Sequence, residues 1–375
     1  MDVQAPVSHA VPATTPVRSD ARDTLDQLLT EMVRAGGSDL HLTTGAPPSI
    51  RVHGDLGSLP GWEILTAETI AMLIRSIVSP EQWLRFETEQ EYDFAYDVPG
   101  LSRFRINLFQ QRNAYGSVMR AIPHEIKPLD ELGIPQQIER FAYLPRGLVL
   151  VTGPTGSGKT TTLASLLDLA NRSRRDHIVT IEDPIEFLHE HKRCLVNQRE
   201  VGVDTGSFSE ALKRVLRQDP DIILVGELRD LETVSTAITA AETGHLVLAT
   251  LHTQSAAQTI DRIIDIFPPH QQQEVRAQLS TALQGVVTQA LVRRNDGTGR
   301  TVVCEVMFAT SAIRNLIREG KNHQIPSFMQ SSGADGMLTF DSHLAQRVHE
   351  GAVDYEQALE LCHAPEDFTR LVGRR

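Results

Sequence analysis

The chain has 375 residues, of which 41% are hydrophobic and 22% charged, a composition ordinary for a globular protein of two or three domains. Its formal net charge of −12 argues against a dedicated nucleic-acid binder, because such proteins usually carry a basic domain. The three cysteines, Cys194, Cys304 and Cys362, are far apart, so we expect reduced thiols, a cytoplasmic setting and no zinc site.

The first third of the sequence predicts a tail and then an α+β domain. Residues 1–21 contain three prolines among small residues, which is typical of a disordered tail. Residues 22–123 predict the domain: an amphipathic helix ends at Gly36 and Gly37, and a helical period covers 66–89. Strand-like stretches lie at 38–42, 50–52, 92–96, 103–109 and 116–122.

The remaining sequence predicts a linker and an α/β domain. Residues 124–145 contain Pro128, Pro135 and Pro145 and are predicted to be the linker. From residue 146 to 375, apolar runs alternate with helical stretches, as in a parallel sheet with crossover helices. The runs lie at 148–151, 178–181, 222–225 and 246–249. The last part is predicted to be helical, over 272–291, 310–319, 338–350 and 355–362.

The segment GLVLVTGPTGSGKT, residues 147–160, joins an apolar run to a glycine-rich turn and the start of a helix. It fits the phosphate-loop pattern G-x-x-x-x-G-K-[ST] at every fixed position. Glycines let backbone N–H groups converge on phosphate oxygens, and the helix N-terminus adds partial positive charge. We expect Lys159 to reach the β- and γ-phosphates of ATP and Thr160 to ligate Mg²⁺. The predicted nucleotide contacts are Gly153, Pro154, Thr155, Gly156, Ser157, Gly158, Lys159, Thr160 and Thr161.

Carboxylates follow the second apolar run, at the strand end where active groups of such a sheet are expected. Glu182, Asp183 and Glu186 can bind Mg²⁺ or position water there. A solvated turn around Pro184 is the alternative explanation.

The third run is followed by Gly226-Glu227-Leu228-Arg229-Asp230. Glu227 stands where a phosphate-loop ATPase orients the attacking water, and Arg229 is a further candidate contact for the nucleotide. Gly226 occupies the position of the usual Mg²⁺-holding aspartate, so the metal must depend on Thr160 and on the carboxylates of 182–186. Alternatively, Glu227 caps a helix and Arg229 is a surface charge.

Histidines and arginines supply the remaining candidates. His245 and His252 bracket the fourth run and are predicted to point to the same edge as γ-phosphate sensors, although such histidines are more often structural. Phosphoryl transfer usually needs a cation against developing negative charge. Arg105 and Arg120, with Arg103 as the fallback, lie on predicted strands and are candidates for fingers across a subunit interface. Strand alternation explains them equally well as exposed arginines of a sheet face.

These motifs resemble the Walker A, Asp-box, Walker B and His-box segments of secretion-superfamily, or GspE-type, ATPases. The segments are GPTGSGKT (153–160), IEDPIEF (181–187), DPDIILVGELRD (219–230) and ETGHLVLATLHT (242–253), and NQREVG (197–202) and SDLHL (38–42) match too. The resemblance covers residues 23 to 361, nearly the whole chain. The stretch AIRNLIRE (312–319) is similar to the helix that marks PilT-like type IV pilus retraction ATPases, the twitching-motility proteins.

The resemblance implies an N-terminal PAS-like domain, a RecA-like ATPase domain and a homohexameric ring with ATP between the two domains. It implies ATP hydrolysis that drives pilus retraction, together with the pilus machinery and its inner-membrane platform protein. It implies that Lys159 and Thr160 bind phosphates and Mg²⁺. It implies that Glu186 is the Asp-box carboxylate, that Glu227 is the catalytic carboxylate and that His245 and His252 are the His-box pair. It also implies that arginines of the first domain reach into a neighbouring site.

The AIRNLIRE stretch is predicted to be an amphipathic helix that couples hydrolysis to work. Ile313, Leu316 and Ile317 share one side, and we expect Arg314 and Arg318 largely on others. A plain helix that covers the core is the alternative.

Three other functions stay open. A PilU-like accessory retraction ATPase is disfavoured by the intact AIRNLIRE stretch, and a protein that binds ATP to signal without turnover is disfavoured by Glu227. A nucleic-acid-tethered RecA-type motor is disfavoured by the negative charge. The sequence contains no run of 18 apolar residues and no signal peptide. We therefore expect no direct membrane insertion, and recruitment by a partner to the inner face of the cytoplasmic membrane.

Overall fold

The computed structural model describes residues 17–52, 55–122, 125–297 and 299–373, which divide into two units between residues 123 and 124. None of the helices in these ranges is both long and apolar enough to cross a bilayer.

In the described part of the N-terminal unit, six strands form one antiparallel sheet in the order β3-β2-β1-β6-β5-β4. The elements are α1 (Val17–Arg34), β1 (Gly37–Leu42), β2 (Ser49–Val52), β3 (Asp55–Ser58), α2 (Ala67–Ile77), α3 (Pro80–Glu89), β4 (Glu91–Val98), β5 (Ser102–Gln111) and β6 (Ala114–Ile122). Side chains alternate along each strand, so one face of the sheet buries an apolar core and the other face is polar. On β5, Phe104 and Ile106 face the core, whereas Arg103 and Arg105 face away from it.

Two boundaries of this unit differ from those predicted. Helix α1 begins at Val17, inside the range 1–21 that was predicted to be a disordered tail, and the remainder of that range lies outside the described residues. The helical period over 66–89 covers two helices. Ser79 ends the first and begins the second, because its side chain accepts from the Gln82 N–H while Gln82 accepts from the Ser79 N–H, a capping box followed by a proline.

In the described part of the C-terminal unit, seven strands form a sheet in the order β13-β12-β7-β11-β10-β8-β9. The elements are β7 (Gly147–Thr152), α4 (Lys159–Ser173), β8 (His177–Glu182), β9 (Leu195–Glu200), α5 (Phe208–Val215), β10 (Ile222–Val225), α6 (Leu231–Glu242), β11 (Leu246–Leu251), α7 (Ala256–Asp265), α8 (Gln272–Ala282), β12 (Leu283–Arg293), β13 (Arg300–Phe308), α9 (Ser311–Arg318), α10 (Ile325–Ser331), α11 (Phe340–His349), α12 (Tyr355–Leu361) and α13 (Pro365–Val372). All neighbouring pairs are parallel except β12 with β13.

The order of the central strands positions the candidate site. β11 pairs with β7 on one side and with β10 on the other, so the ends of these three parallel strands lie at one edge of the sheet. The segments that follow them are the glycine-rich loop after β7, the Glu227 turn after β10 and the His252 turn after β11. Residues far apart in sequence therefore converge at this edge, as expected for an open parallel sheet.

The C-terminal part is not wholly helical, which corrects the prediction for 272–291. Helix α8 ends at Ala282, and β12 then runs beside β7 and turns back as β13. The sequence LQGVVTQALV fits both a helical and a strand pattern, and pairing with β7 decides in favour of the strand.

The segment predicted as a linker packs into the C-terminal unit from residue 125 onward. It contains a 3₁₀ helix, Gln136–Tyr143, and Leu129, Ile138 and Phe141 are buried in the core of that unit. The prolines mark irregular backbone, but the apolar spacing between them is what anchors the segment.

Helix α9 contains the AIRNLIRE stretch. Ile313 and Ile317 are fully buried and Arg318 is exposed, as the pattern predicts. Arg314, however, is not on a free face. Its guanidinium donates to the carbonyls of Ser280 and Thr281 in the last turn of α8, at 2.7 and 2.6 Å, and burial lowers the pKa of Arg314.

Candidate functional site

The glycine-rich loop between β7 and α4 has the backbone geometry of a phosphate-binding loop. Gly153 has a φ of 140° and Gly158 a φ of 87°, conformations that strain residues with a Cβ atom. A Cβ at Gly153 would also lie 2.2 Å from the carbonyl oxygen of Gln289 on β12. At Gly156, by contrast, an added Cβ would meet nothing within 4 Å. The loop is therefore packed against β12 on one side and open on the other, which leaves a cradle for a ligand.

Lys159, the first residue of α4, is turned back onto the loop. Its Nζ donates to the carbonyls of Gly153 and Pro154 at 2.9 and 3.1 Å. Burial lowers the pKa of Lys159 below its usual value, and the carboxylates of Glu227 and Glu186 only partly offset that effect. A buried ammonium held by two neutral carbonyls is ready to exchange them for phosphate oxygens, since charge-assisted bonds are the stronger ones.

A cavity of about 210 Å³ lies at this edge of the sheet. It brings together four segments that the sequence places far apart: the loop, the turn after β8, the turn after β10 and the end of β11. Among the predicted site residues, those that line it are Thr155, Gly156, Lys159, Thr160, Glu186, Glu227, Arg229 and His252. Gly153 and Ser157 instead face β12 behind the loop.

Glu227 is held on both carboxylate oxygens by cationic or basic side chains. Its Oε2 pairs with Arg229 Nη2 at 2.7 Å and its Oε1 with His252 Nε2 at 3.2 Å. Burial opposes ionisation of Glu227, but the hydrogen bond from Arg229 and the nearby His252 outweigh it and hold the pKa of the carboxyl below its ordinary value. Glu227 is therefore ionised at neutral pH and can accept a hydrogen bond from water.

Of the carboxylates at the end of β8, Glu182 is buried, whereas Asp183 and Glu186 are exposed. Glu182 is buried and accepts from Thr180 Oγ1 at 2.6 Å and Gln198 Nε2 at 3.0 Å. Burial raises the pKa of Glu182 in spite of these bonds. Glu186 is exposed, and its carboxylate makes no hydrogen bond or ion pair with any described residue, whereas its backbone N–H donates to Glu182. Its carboxylate is thus free to bind a ligand.

The donor set fits Mg²⁺ held jointly with a nucleotide. Within the described ranges, no group of three histidine, cysteine, aspartate or glutamate side chains is arranged to hold a metal by itself. Thr160 and Glu186 both line the cavity beside Lys159. Mg²⁺ is usually bound by one or two protein oxygens together with substrate phosphates and water, so these two side chains fit that use.

The prediction that His245 and His252 point to the same edge is wrong. His245 precedes β11, and its carbonyl accepts from the N–H of Gly147 at the start of β7. His252 follows the other end of β11, so a strand of six residues separates them by roughly 20 Å. The His245 ring contacts the Ala240 carbonyl at 2.9 Å. As a phosphate contact within its own chain, His245 is excluded by this geometry.

The candidate finger arginines lie together on the polar face of the N-terminal sheet. Arg105 and Arg120 are directly opposed on β5 and β6, and their side chains are 48% and 68% exposed. Asp39 on β1 binds Arg120 Nε at 2.7 Å, whereas Arg105 is 4.0 Å from its acidic neighbour Asp93. Arg103 is the least exposed of the three, at 18%. The N-terminal unit thus presents two arginines with exposed side chains at one place.

Sequence reasoning missed two glutamines that shape the site. Gln289 on β12 donates from Nε2 to the Ser157 carbonyl at 2.7 Å, and Gln198 on β9 bonds to the segment after β8. Gln198 lies in the NQREVG motif, which could have identified it as a residue of the site. Gln289 lies in a stretch that was predicted to be helical.

A parallel sheet that leads through a glycine-rich loop into a helix, with a carboxylate beyond a neighbouring strand, is the arrangement of phosphate-loop nucleotide-binding proteins. The chain belongs to the type II/IV secretion system protein family, whose sequence model matches residues 19–360. The resemblance drawn from the motifs is thereby confirmed.

Individual relatives agree with this family. The chain is 51% identical over 346 residues to the type IV pilus retractation ATPase PilT of Pseudomonas aeruginosa, covering 92% of this chain and 99% of that protein. It is 42% identical over 347 residues to the type IV pilus ATPase PilU of the same organism, covering 92% and 91%. A crystal structure of the pilus retraction motor PilT with bound ADP is similar with a TM-score of 0.86 and 44% identity, over 92% of this chain and 98% of that one.

Proposed function

We propose that this chain is an ATP-hydrolysing motor that retracts and disassembles type IV pili, the activity behind twitching motility. The observation that carries the proposal is the cavity in which the phosphate loop, Glu186, Glu227 and His252 surround Lys159. Two findings support it. PilT, a type IV pilus retractation ATPase, matches over nearly its whole length, and a solved PilT structure contains ADP.

In the proposed mechanism, ATP binds with its phosphates on the loop, toward the N-terminus of α4. Lys159 exchanges its bonds to the Gly153 and Pro154 carbonyls for β- and γ-phosphate oxygens. The Thr160 hydroxyl and the Glu186 carboxylate would hold Mg²⁺ together with the phosphates, where the metal would supply positive charge against the negative charge of the phosphates.

Glu227 is the group that orients the attacking water. As a carboxylate it accepts a hydrogen bond from the water and directs the water at the γ-phosphate. Arg229, whose side chain is 65% exposed, leaves Glu227 when substrate arrives and contacts the phosphates. His252 stays beside Glu227 and contacts the γ-phosphate.

A complete site needs a neighbouring subunit. Among the described residues, Arg229 is the arginine that lines the cavity, and it is paired with Glu227. We therefore assign the remaining positive charge to Arg105 and Arg120 of an adjacent subunit in a hexameric ring. In this proposal the N-terminal unit is a PAS-like domain and the C-terminal unit, which contains the nucleotide cavity, is RecA-like. The ring works with the pilus machinery and its platform protein, at the inner face of the cytoplasmic membrane.

Steady-state phosphate release from ATP tests the function. Lys159→Ala should impair both binding and turnover, since it removes the buried ammonium. Glu227→Gln keeps the shape but loses the carboxylate, so nucleotide should bind and persist while turnover falls by about 10²-fold or more. Lys213→Ala and Glu232→Gln are matched controls, because that exposed ion pair does not line the cavity.

Parental turnover by Glu227→Gln would contradict the assignment. Absence of turnover in the parental protein would favour an ATP-binding signalling protein, and stimulation by DNA would favour a nucleic-acid motor. Negative-stain images with ATP should show a six-membered ring. Loss of pilus retraction in cells that carry Lys159→Ala separates a primary motor from a PilU-like accessory protein, which is the less similar of the two relatives.

A further inference from the structure

The turn that presents Glu186 is built without a backbone ladder of its own. This turn, residues 183–189, follows β8 and is named here the carboxylate loop. Among the described residues, no backbone-to-backbone hydrogen bond involves it. Backbone N–H and C=O groups in a folded protein are nearly always paired, so here they are left to side chains and to water. The conformation of the loop therefore depends on the residues that supply those side chains.

Gln198 supplies two of these bonds and also binds Glu182 at the end of β8. Its Nε2 donates to the Phe187 carbonyl at 2.9 Å and to Glu182 Oε1 at 3.0 Å, while its Oε1 accepts from the His189 N–H at 2.8 Å. A second acid of the same motif, Glu200, accepts from the Ile185 N–H at 3.2 Å. An amide has two N–H donors and an acceptor oxygen, so a glutamine at 198 uses both kinds of group at once.

The position of Glu186 depends on the backbone of this loop, since its carboxylate is exposed and has no hydrogen-bond or ion-pair partner among the described residues. The N–H of Glu186 donates to the Glu182 carboxylate, which Gln198 also binds. The carboxylate of Glu186 is close enough to Lys159 to raise the pKa of that ammonium by its charge. Phe187 and His189, the two residues whose backbone Gln198 binds, line the same cavity.

We propose that Gln198 is a positioning residue, which fixes the carboxylate loop so that Glu186 faces the phosphate loop and its nucleotide-bound Mg²⁺. This inference rests on the proposed function only in requiring that the cavity binds a metal–nucleotide complex. Glutamate or methionine at 198 lacks the two N–H donors, so the Phe187 carbonyl in the loop and the Glu182 carboxylate beside it lose their hydrogen bonds from residue 198. Residues that orient a metal ligand commonly change metal affinity by about 10–100-fold when they are replaced.

Binding of a fluorescent ATP analogue, titrated with and without Mg²⁺, tests the proposal without depending on turnover. The variants are Gln198→Met and Gln198→Glu. The control is Asn197→Asp, which also removes an amide from β9 but on the opposite face, where Asn197 contacts His177 at 2.8 Å. Thermal unfolding of each variant shows whether it is folded. Two different replacements at 198 keep the test valid if one of the variants does not fold.

The expected result is that both variants at 198 lose about tenfold or more of the affinity that Mg²⁺ adds, while binding without Mg²⁺ changes by about twofold at most. Equal losses with and without Mg²⁺, or the same loss in Asn197→Asp, would overturn the proposal. Phosphate release by the parental protein is measured in parallel. A parental protein that binds the Mg²⁺ complex but releases no phosphate refutes hydrolysis and leaves the result on Gln198 standing.

Discussion

Gln289 donates a hydrogen bond of 2.7 Å to the carbonyl of Ser157, although 132 positions separate the two residues in sequence. The Gln289 side chain is buried, and its own backbone carbonyl fills the space that a Cβ at Gly153 would need. Strand β12 therefore supports the phosphate loop from behind. With the Ser157 carbonyl turned toward β12, the loop keeps its open side for the ligand.

We predict that Gln289→Met weakens ATP binding about tenfold. Methionine has a similar volume but no donor, so the buried Ser157 carbonyl loses its partner at a cost of about 1–3 kcal/mol. Titration with a fluorescent ATP analogue measures the change. Gln346→Met is the matched control, because Gln346 is an exposed residue of α11 whose side chain donates to Glu350 and does not line the cavity. Unchanged affinity in Gln289→Met would show that β12 does not shape the loop.

We predict that subunits with complementary defects restore activity when they are mixed. Lys159→Ala removes the loop cation, and the double variant Arg105→Ala with Arg120→Ala removes the proposed fingers. In a mixed ring, an intact loop can face intact arginines of a neighbour, which bind phosphate bidentately. Phosphate release should then exceed that of either variant alone. Mixing without any gain would argue against a shared site, and Arg103→Ala is the next variant if Arg105 proves inert.

We predict that Glu305 makes the free energy of unfolding depend on pH. Burial raises the pKa of Glu305 to about 7, although the N–H groups of Ala256 and Phe340 donate to it. The folded state therefore binds more protons than the unfolded state between about pH 4.5 and 7. The contribution of protonated Glu305 to the free energy of unfolding is fully present below about pH 4.5 and is lost as pH rises through 7. Glu305→Gln removes the dependence. Relative to the parental protein, its free energy of unfolding should rise by about 3 kcal/mol from pH 4.5 to 8.

Urea unfolding at several pH values measures this difference. His189 and His343 act in the opposite direction, because burial lowers the pKa of each to about 4 and their contribution grows from pH 4 to 6.5. Both proteins contain these histidines, so their effect cancels in the comparison. Parallel stability profiles for the two proteins would refute the role of Glu305.

We predict that two arginines of α9 behave differently when they are replaced by alanine. Arg314→Ala removes the donor to the Ser280 and Thr281 carbonyls and should cost about 1.5–3 kcal/mol of unfolding free energy. Arg318 is exposed, so Arg318→Ala should change stability by about 0.5 kcal/mol or less. Urea unfolding distinguishes the two variants.

Arg318→Ala also tests whether α9 couples ATP hydrolysis to pilus retraction, since this substitution leaves the fold intact. We expect a ring with near-parental ATP turnover and no pilus retraction in cells. Turnover and retraction that fall in proportion would leave α9 with a structural role only.

The sequence predicted those parts of the site that follow from local pattern and strand direction. Lys159 and Thr160 are adjacent to the glycines that shape their loop, and Glu186, Glu227 and His252 each follow the end of a parallel strand. All five line one cavity. The predictions were wrong where they did not take account of strand direction or of a pairing partner that the sequence pattern does not reveal. His245 precedes its strand and so lies at the far edge, and Gln289 belongs to a strand that only pairing with β7 reveals.

β11 separates the strand that leads into the phosphate loop from the strand that ends before Glu227. Neighbouring strands are about 4.8 Å apart, so two ladders of backbone hydrogen bonds keep these outer strands about 10 Å apart. That distance admits a phosphoryl group and a water molecule, and changing it would require breaking hydrogen bonds among three fully buried strands. In the proposed mechanism, motion is therefore confined to side chains such as Lys159 and Arg229 and to elements outside the sheet, while the distance between the phosphate loop and the Glu227 turn stays constant.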